Sequence, residues 1–252
     1  DVSADGGAVT AKATDAVGNE STASSAITYT IDDTADSDNN FAVSFATADG
    51  TTNASEVSHV SLSLSGVDSD ASTVSVSIDD DGVSGTSAIV ASASKVGSAW
   101  VVSDVDLSTL TDSTVTVTAT VTDAAGNTDT ATDTLTLDTA GPTITAVATS
   151  GTGITSGDGN LNAGDAVTIT LTASAATTIS GGTPTLSLSG GGQANYSSGS
   201  GSTSLVFSYT VASGENTADL EVIGFNTGGA TLEDAEGNAL VTSGSIADPT
   251  GD

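Results

Sequence analysis

The chain repeats itself, and that repetition constrains its fold more than any other feature. Thr14-Asp15-Ala16-Val17-Gly18-Asn19 returns as Thr122-Asp123-Ala124-Ala125-Gly126-Asn127 and, more loosely, as Glu233-Asp234-Ala235-Glu236-Gly237-Asn238, at spacings of 108 and 111 residues. A period of this length is the size of a whole small domain and far exceeds the repeats of a solenoid. Each copy is followed by a short alternating run that ends in an acidic junction: Tyr29-Thr30-Ile31-Asp32-Asp33, Leu135-Thr136-Leu137-Asp138 and Ile246-Ala247-Asp248-Pro249. The sequence therefore divides into residues 1–32, the end of a truncated repeat, then 33–138, one full repeat, and 139–252, a divergent one.

Within a repeat the hydrophobic period is two, which marks strands with one buried face. Val115, Val117, Ala119 and Val121 alternate with threonines, Val60, Leu62 and Leu64 with serines, and Val167, Ile169 and Leu171 with threonines. No stretch carries a helical stripe. Short strands separated by Gly, Asp, Asn and Ser turns, in units near 108 residues, predict an all-β chain of tandem Greek-key immunoglobulin-like β-sandwiches, seven strands in each. The chain has no cysteine, so the cores close on Val, Leu and Ile with Trp100, Phe207 and Tyr209. Asp133 is in phase with Leu135 and Leu137, which predicts a bulge there or a strand that starts later. Residues 1–32 hold only two strands, around 8–14 and 25–31. A lone hairpin is marginal in water, so its partners must come from a longer parent chain or from another molecule.

Charge then narrows the function. Two Lys or Arg against 32 Asp or Glu give a formal charge of −30, which excludes nucleic acid as a partner, because phosphate binding needs clustered cations. No apolar run approaches the roughly 20 residues needed to span a bilayer, so no membrane insertion is expected. Residue 1 is not Met and no signal-like segment follows it, so the chain reads as a piece of something longer.

In an immunoglobulin topology the loop between the last two strands lies at the pole where the chain enters, beside the loop between the second and third strands. Asp123, Asn127, Asp68 and Asp70 are therefore expected to converge on Asp32, Asp33 and Asp36, and Glu233, Asp234 and Asn238 to face Asp138. With almost no cationic side chains to pair them, these acids would repel one another. A hard divalent cation is the economical remedy, because Ca²⁺ takes six to eight oxygens in flexible geometry; Mg²⁺ is the alternative, and the lack of thiolates and the single histidine speak against softer metals. For any single loop, turn chemistry accounts for the acids equally well, since Asp and Asn bond their own backbone. Charge balance favours metal for the two joints taken together.

Other constellations carry less. Asp158-Gly159-Asn160-Leu161-Asn162 opens like an EF-hand loop, but Ala163 occupies the sixth position and Ile169 the twelfth, so a strand connection is expected. Asp79-Asp80-Asp81-Gly82 reads as a solvated turn. His59 is in phase with Ser61, Ser63 and Ser65 and belongs on the solvent face. No nucleophile, paired-carboxylate cleft or other recognisable catalytic site emerges, and no enzyme activity is expected. Threonine rows on neighbouring strands invite a water-ordering reading, but sheet twist spoils a flat array.

The run from Thr114 to Asn127, closed by Leu135-Thr136-Leu137-Asp138, resembles the bacterial Ig-like repeats of giant type I-secreted adhesins of the RTX and biofilm-associated class. Residues 139–252 resemble a divergent relative, through Asp158 to Asp165 and Asp234 to Asn238. The resemblance implies an extracellular stalk segment at a bacterial surface, rigidified by Ca²⁺ between neighbouring repeats of one polypeptide, with ligand roles for Asp32, Asp33, Asp123 and Asp138. The chain departs from the family pattern at Gly141 and in Asp32-Asp33-Thr34-Ala35-Asp36, which has no proline after it. Two rivals stand beside the stalk. One is a fibre subunit completed by strand exchange with other copies through residues 1–32. The other is a sugar- or peptide-binding module, disfavoured by an aromatic content of 3%.

Overall fold

The computed structural model describes residues 7–47, 49–80, 82, 86–155, 158–215, 217 and 219–242. Asp81 and the expected junction at 246–249 lie outside the described residues, as does the side chain of Asp158. The secondary structure described is strand and turn, and no helix is long and apolar enough to cross a membrane.

The first element is a hairpin of β1 (Gly7–Val9) and β2 (Ile27–Tyr29), antiparallel with Val9 opposite Ile27. Serine hydroxyls extend it toward the turn: the Ala11 and Ala13 N–H groups donate to Ser24 Oγ and Ser21 Oγ at 3.0 and 2.9 Å.

A sandwich follows, built from β3 (Ala42–Phe45), β4 (Thr51–Thr52), β5 (Val60–Ser65), β6 (Ala71–Asp79), β7 (Ile89–Ser92), β8 (Ser94–Val96), β9 (Ala99–Val105), β10 (Ser113–Asp123) and β11 (Thr128–Leu137). One sheet runs β3-β5-β9-β8 and the other β4-β11-β10-β6-β7. This is the Greek-key order of an immunoglobulin domain. It has nine strands where seven were expected, because the first strand is divided between the sheets as β3 and β4 and because β7 is added at an edge. Val115, Val117, Ala119 and Val121 of β10 are buried against Val60, Leu62, Val102 and Val105 of the facing sheet, each buried valine contributing about 1.5–3 kcal/mol. The intervening threonines face outward in register, Thr116 opposite Thr134, Thr118 opposite Thr132 and Thr120 opposite Thr130.

Two expectations need correction here. The β10–β11 ladder is unbroken from Ser113 to Thr122, so Asp133 causes no bulge. Its carboxylate points inward and accepts the Phe45 N–H at 2.9 Å, satisfying an edge donor of β3 that has no ladder partner on that side. Trp100 is half-buried at the core margin, with the Lys95 ammonium 5.4 Å from its ring centroid.

The second body comprises β12 (Ile144–Gly151), β13 (Ile154–Thr155), β14 (Asp158–Gly159), β15 (Ala166–Ser180), β16 (Thr185–Leu188), β17 (Gln193–Ser198), β18 (Ser202–Thr210), β19 (Val222–Asn226) and β20 (Thr231–Glu233). Its hydrogen bonding is continuous through β12-β15-β18-β17-β16-β19, with β20 paired to the far end of β15. One face buries the core, so the sheet must curl around it. The register shifts between Thr172 and Thr177 and between Tyr196 and Ser198 supply the bends. Phe207 is fully buried, with Tyr196 and Phe225 packed edge-on at 5.7 and 6.0 Å. Burial and a hydrogen bond to Glu215 push the Tyr209 hydroxyl up to about 12.

Candidate metal centres at the joints

The three Asp-x-x-Gly-Asn loops fold alike. In each, the aspartate N–H donates to the asparagine carbonyl, at 2.9 Å for Asp15, 3.1 Å for Asp123 and 3.1 Å for Asp234. The asparagine N–H returns to the aspartate Oδ1, at 2.9, 2.8 and 2.7 Å. The intervening Gly18, Gly126 and Gly237 have φ of 94, 97 and 89°, a region that L side chains adopt only at a cost of about 1–2 kcal/mol. Burial works to raise the Asp123 carboxyl, but hydrogen bonds from the Asn127 side chain and backbone and from the Gly126 N–H outweigh it and hold it below its ordinary range. Asp15 is lowered by the same asparagine contacts in its own loop.

The asparagine amides then reach back to the incoming chain. Asn127 Nδ2 donates to the Asp32 carbonyl at 3.0 Å and Asn238 Nδ2 to the Asp138 carbonyl at 2.9 Å. Each linker thus passes a carboxylate beside a loop that already carries one. At joint one, carboxylate oxygens of Asp32, Asp70 and Asp123 lie within 4.8 Å of one another; at joint two, those of Asp138, Asp234 and Glu236 do so. A third group, Asp36, Asp38 and Asp68, sits a few residues beyond joint one.

The acids expected at joint one therefore separate into two sets. Asp70 joins Asp32 and Asp123, Asp68 joins Asp36, and Asp33 enters neither. At joint two Glu233 is not among the three; it is the last residue of β20, and neighbours along an extended chain point to opposite sides, so turning Asp234 toward the linker turns Glu233 away. Asn127 and Asn238 act through their amides on the linker carbonyls. Two acids were not anticipated. Glu236 occupies the loop position that is Val17 in the first copy and Ala125 in the second, and that local change is a legible signal. Asp38 carries none.

The donor sets suit a hard cation. All are oxygens, and separations of no more than 4.8 Å are within the span of two Ca²⁺–oxygen bonds of about 2.3–2.6 Å each. The two lysines are engaged elsewhere, Lys12 with Glu20 at 3.0 Å and Lys95 over Trp100. In the third group Asp36 Oδ2 accepts the Phe41 N–H at 2.8 Å while Asp36 Oδ1 is buried without a partner. Burial pushes the Asp38 carboxyl up, helped by its contact with Asp36 and the charge of Asp68.

The remaining residues behave as structure. Asp80 is buried rather than solvated as the sequence suggested, accepting from Thr86 Oγ1 and the Thr111 N–H at 2.6 and 2.9 Å. His59 is exposed, 3.5 Å from the Asp104 carboxylate. Asn162 closes the connection before β15 by donating its N–H to Asp165 Oδ2 at 2.7 Å.

Fold and joints together define a chain of tandem β-bodies meeting at acidic linkers. No family model and no curated protein matches the sequence. Solved structures similar to it include segments of large adhesion proteins, at low identity. A tetra-tandem repeat from the extending region of a large adhesion protein is 20% identical with a TM-score of 0.34, covering 94% of this chain and 55% of that one. A Ca²⁺-stabilized adhesin that helps an Antarctic bacterium reach out and bind ice is 24% identical with a TM-score of 0.44, over 91% and 52%. A 1.5-MDa bacterial ice-binding adhesin is 21% identical with a TM-score of 0.39, over 80% and 60%. The chain spans little more than half the length of these neighbours, and a likeness at this level carries no argument about function.

Proposed function

We propose that this chain is a structural extender segment of a large, extracellular bacterial surface adhesin, in which residues 33–138 and 139–252 are successive repeats and residues 1–32 end a preceding one. Ca²⁺ is the cation proposed for its joints, with Asp32, Asp70 and Asp123 as ligands at the first and Asp138, Asp234 and Glu236 at the second. The observation that carries this reading is that both linkers bring a carboxylate up to two others, at least one of them on the Asp-x-x-Gly-Asn loop, while both lysines are engaged elsewhere. An uncompensated group of this kind opposes the very geometry that the Asn127 and Asn238 amides enforce, and a divalent cation reverses the sign of that interaction. The role is mechanical rather than catalytic: the partners are the neighbouring repeats, and calcium adds to the stiffness of the series. Small-angle scattering during a calcium titration tests it. The radius of gyration and maximum dimension should settle at fixed values as calcium is added and spread in chelator as joint one is freed to bend; curves that do not change with calcium would refute the role.

One observation favours a second reading, that the hairpin is completed by strands of another copy. An offset of 108 residues places Val9 and Ile27 at the positions of Val117 and Leu135, which are buried in the sandwich core, whereas Val9 and Ile27 are 52% and 74% exposed. Sedimentation velocity over a wide concentration range separates the two, since strand exchange produces association that the stalk does not.

A further inference from the structure

We infer that joint two holds a second, metal-free device: the turn Asn53–Glu56 of the sandwich docks on the Asp234–Asn238 loop of the following body and fixes the angle between them. Two hydrogen bonds cross directly from body to body. Asn53 Nδ2 donates to the Glu236 carbonyl at 2.8 Å, and the Ala54 N–H donates to Asn238 Oδ1 at 3.0 Å. The same Asn238 amide donates from Nδ2 to the Asp138 carbonyl of the linker at 2.9 Å, so one side chain ties together both bodies and the segment between them.

Each half is braced by hydrogen bonds within its own body. Asn53 Oδ1 accepts the Ser55 N–H and hydroxyl at 2.9 and 2.7 Å, and the Glu56 and Val57 N–H groups donate to the Asn53 carbonyl at 3.1 and 3.0 Å. Val57 is itself a core residue whose carbonyl accepts from the Leu107 N–H, which roots the turn in the sandwich. On the other side Asn238 is 3% exposed and its N–H is tied to Asp234 Oδ1 at 2.7 Å. Gly237 makes room for the docked turn, since a Cβ there would lie 3.2 Å from Asn53 Nδ2.

The geometry explains why two contacts suffice. The covalent linker is one attachment, and the Asn53 and Ala54 bonds are two more, so the bodies cannot swing apart about the linker without breaking them. The contacts are between neutral groups, so chelation leaves them in place and salt does not screen them, unlike the carboxylates beside them. The docking therefore sets the angle, and it does so whether or not calcium occupies the joint.

The test works on the full chain, which has no cysteine of its own. Ser103 and Ser208, exposed strand residues on the two bodies, are replaced by Cys and spin-labelled, and the distance distribution is measured in chelator. Asn53→Asp keeps an oxygen to cap Ser55 but removes the donor to Glu236; Asn53→Ser adds no charge and withdraws the donor by shortening the side chain by one atom. The unsubstituted joint should give one narrow distance in chelator, and each variant should raise the undocked population about fivefold, the effect of losing one neutral hydrogen bond. A distribution in chelator as broad for the unsubstituted joint as for the variants would overturn the proposal, and so would variants as narrow as the parent. Calcium binding, measured separately by calorimetry, bears only on the calcium reading and not on this one.

Discussion

Joints one and two use the same loop to hold a linker but assemble their acids from different places. At joint one the third carboxylate is Asp70, from the turn between β5 and β6, and both Asp32 and Asp70 are exposed while Asp123 is buried. At joint two the third is Glu236, from inside the loop, and the set is more enclosed, with Asp234 buried and the others half-buried. The constant part is thus the hydrogen-bonded frame of Asp, Gly and Asn, and the variable part is where the extra charge is attached. Charge can be moved from a turn to a loop because Coulombic interaction depends on distance and surroundings but not on direction, whereas the frame depends on φ and on donor geometry and tolerates no such exchange.

The largest expected effect tests what the two joints share. Calcium at a hundred times its dissociation constant stabilises by about 2.7 kcal/mol per site when only the folded form binds. Melting curves in calcium should lie well above those in chelator, and sodium chloride added to chelator should recover part of the difference, more at exposed joint one than at enclosed joint two. Three coincident curves would remove the metal from both joints.

Gly141→Ala separates the joints. A Cβ at Gly141 would lie 2.0 Å from the Ala239 carbonyl, and backbone gives way poorly, so a cost of about 1–3 kcal/mol is expected. The loss should appear in the melting of the second body alone, because the atoms a Cβ would meet all belong to Ala239 of that body; an equal loss in both bodies would show that they unfold as one unit.

Gly126→Ala and Gly237→Ala should each cost about 1–2 kcal/mol for a side chain at positive φ. Only Gly237→Ala also presses on Asn53, so it alone should disturb the angle between the bodies, as read by residual dipolar couplings. Matching changes in both variants would make the two loops equivalent.

The smallest effect is acid sensitivity. Hydrogen bonds hold Asp123, Asp80 and Asp106 below the ordinary carboxylate range. Their contribution is therefore complete above the unfolded value of about 3.9 and is lost as pH falls through the lower folded values. Asp38, raised by burial and its acidic neighbours, works in the opposite direction and gains from protonation. Acid unfolding of the sandwich should begin below about pH 4, and Asp38→Asn should raise its stability at neutral pH in chelator.

What was legible in the sequence was whatever depends on period or on local motif. Alternation assigned Val115 to Val121 to the core because a one-residue slip would expose all four, and the repeated Asp-x-x-Gly-Asn placed the loops because glycine at positive φ is a local requirement. Contacts between distant segments were not legible. Asp133 looked like an error of phase because nothing near it in sequence announces the edge N–H of Phe45, 88 residues away. The docking of Asn53 on Glu236 spans 183 residues. The curl of the second body depends on a register shift within Thr172 to Thr177, a stretch whose composition resembles ordinary strand. The division of the acids into separate groups followed from turn directions that alternation does not encode.

The pairing of β4 with β11 has a mechanical side. Those strands run parallel, Thr51 beside Thr136 and Thr52 beside Leu137, and the Asp138 N–H donates back to the Thr52 carbonyl at 3.1 Å. β4 follows the entry of the chain and β11 leads to its exit, so tension applied through the linkers slides the two strands past each other. Bonds across a sliding pair share the load and must fail together, whereas bonds in a hairpin pulled open from one end fail one after another. Asp133, held to Phe45 on the neighbouring β3, adds a further bond under the same load. The sandwich thus meets a pull along its length in shear, the direction in which a short ladder is strongest.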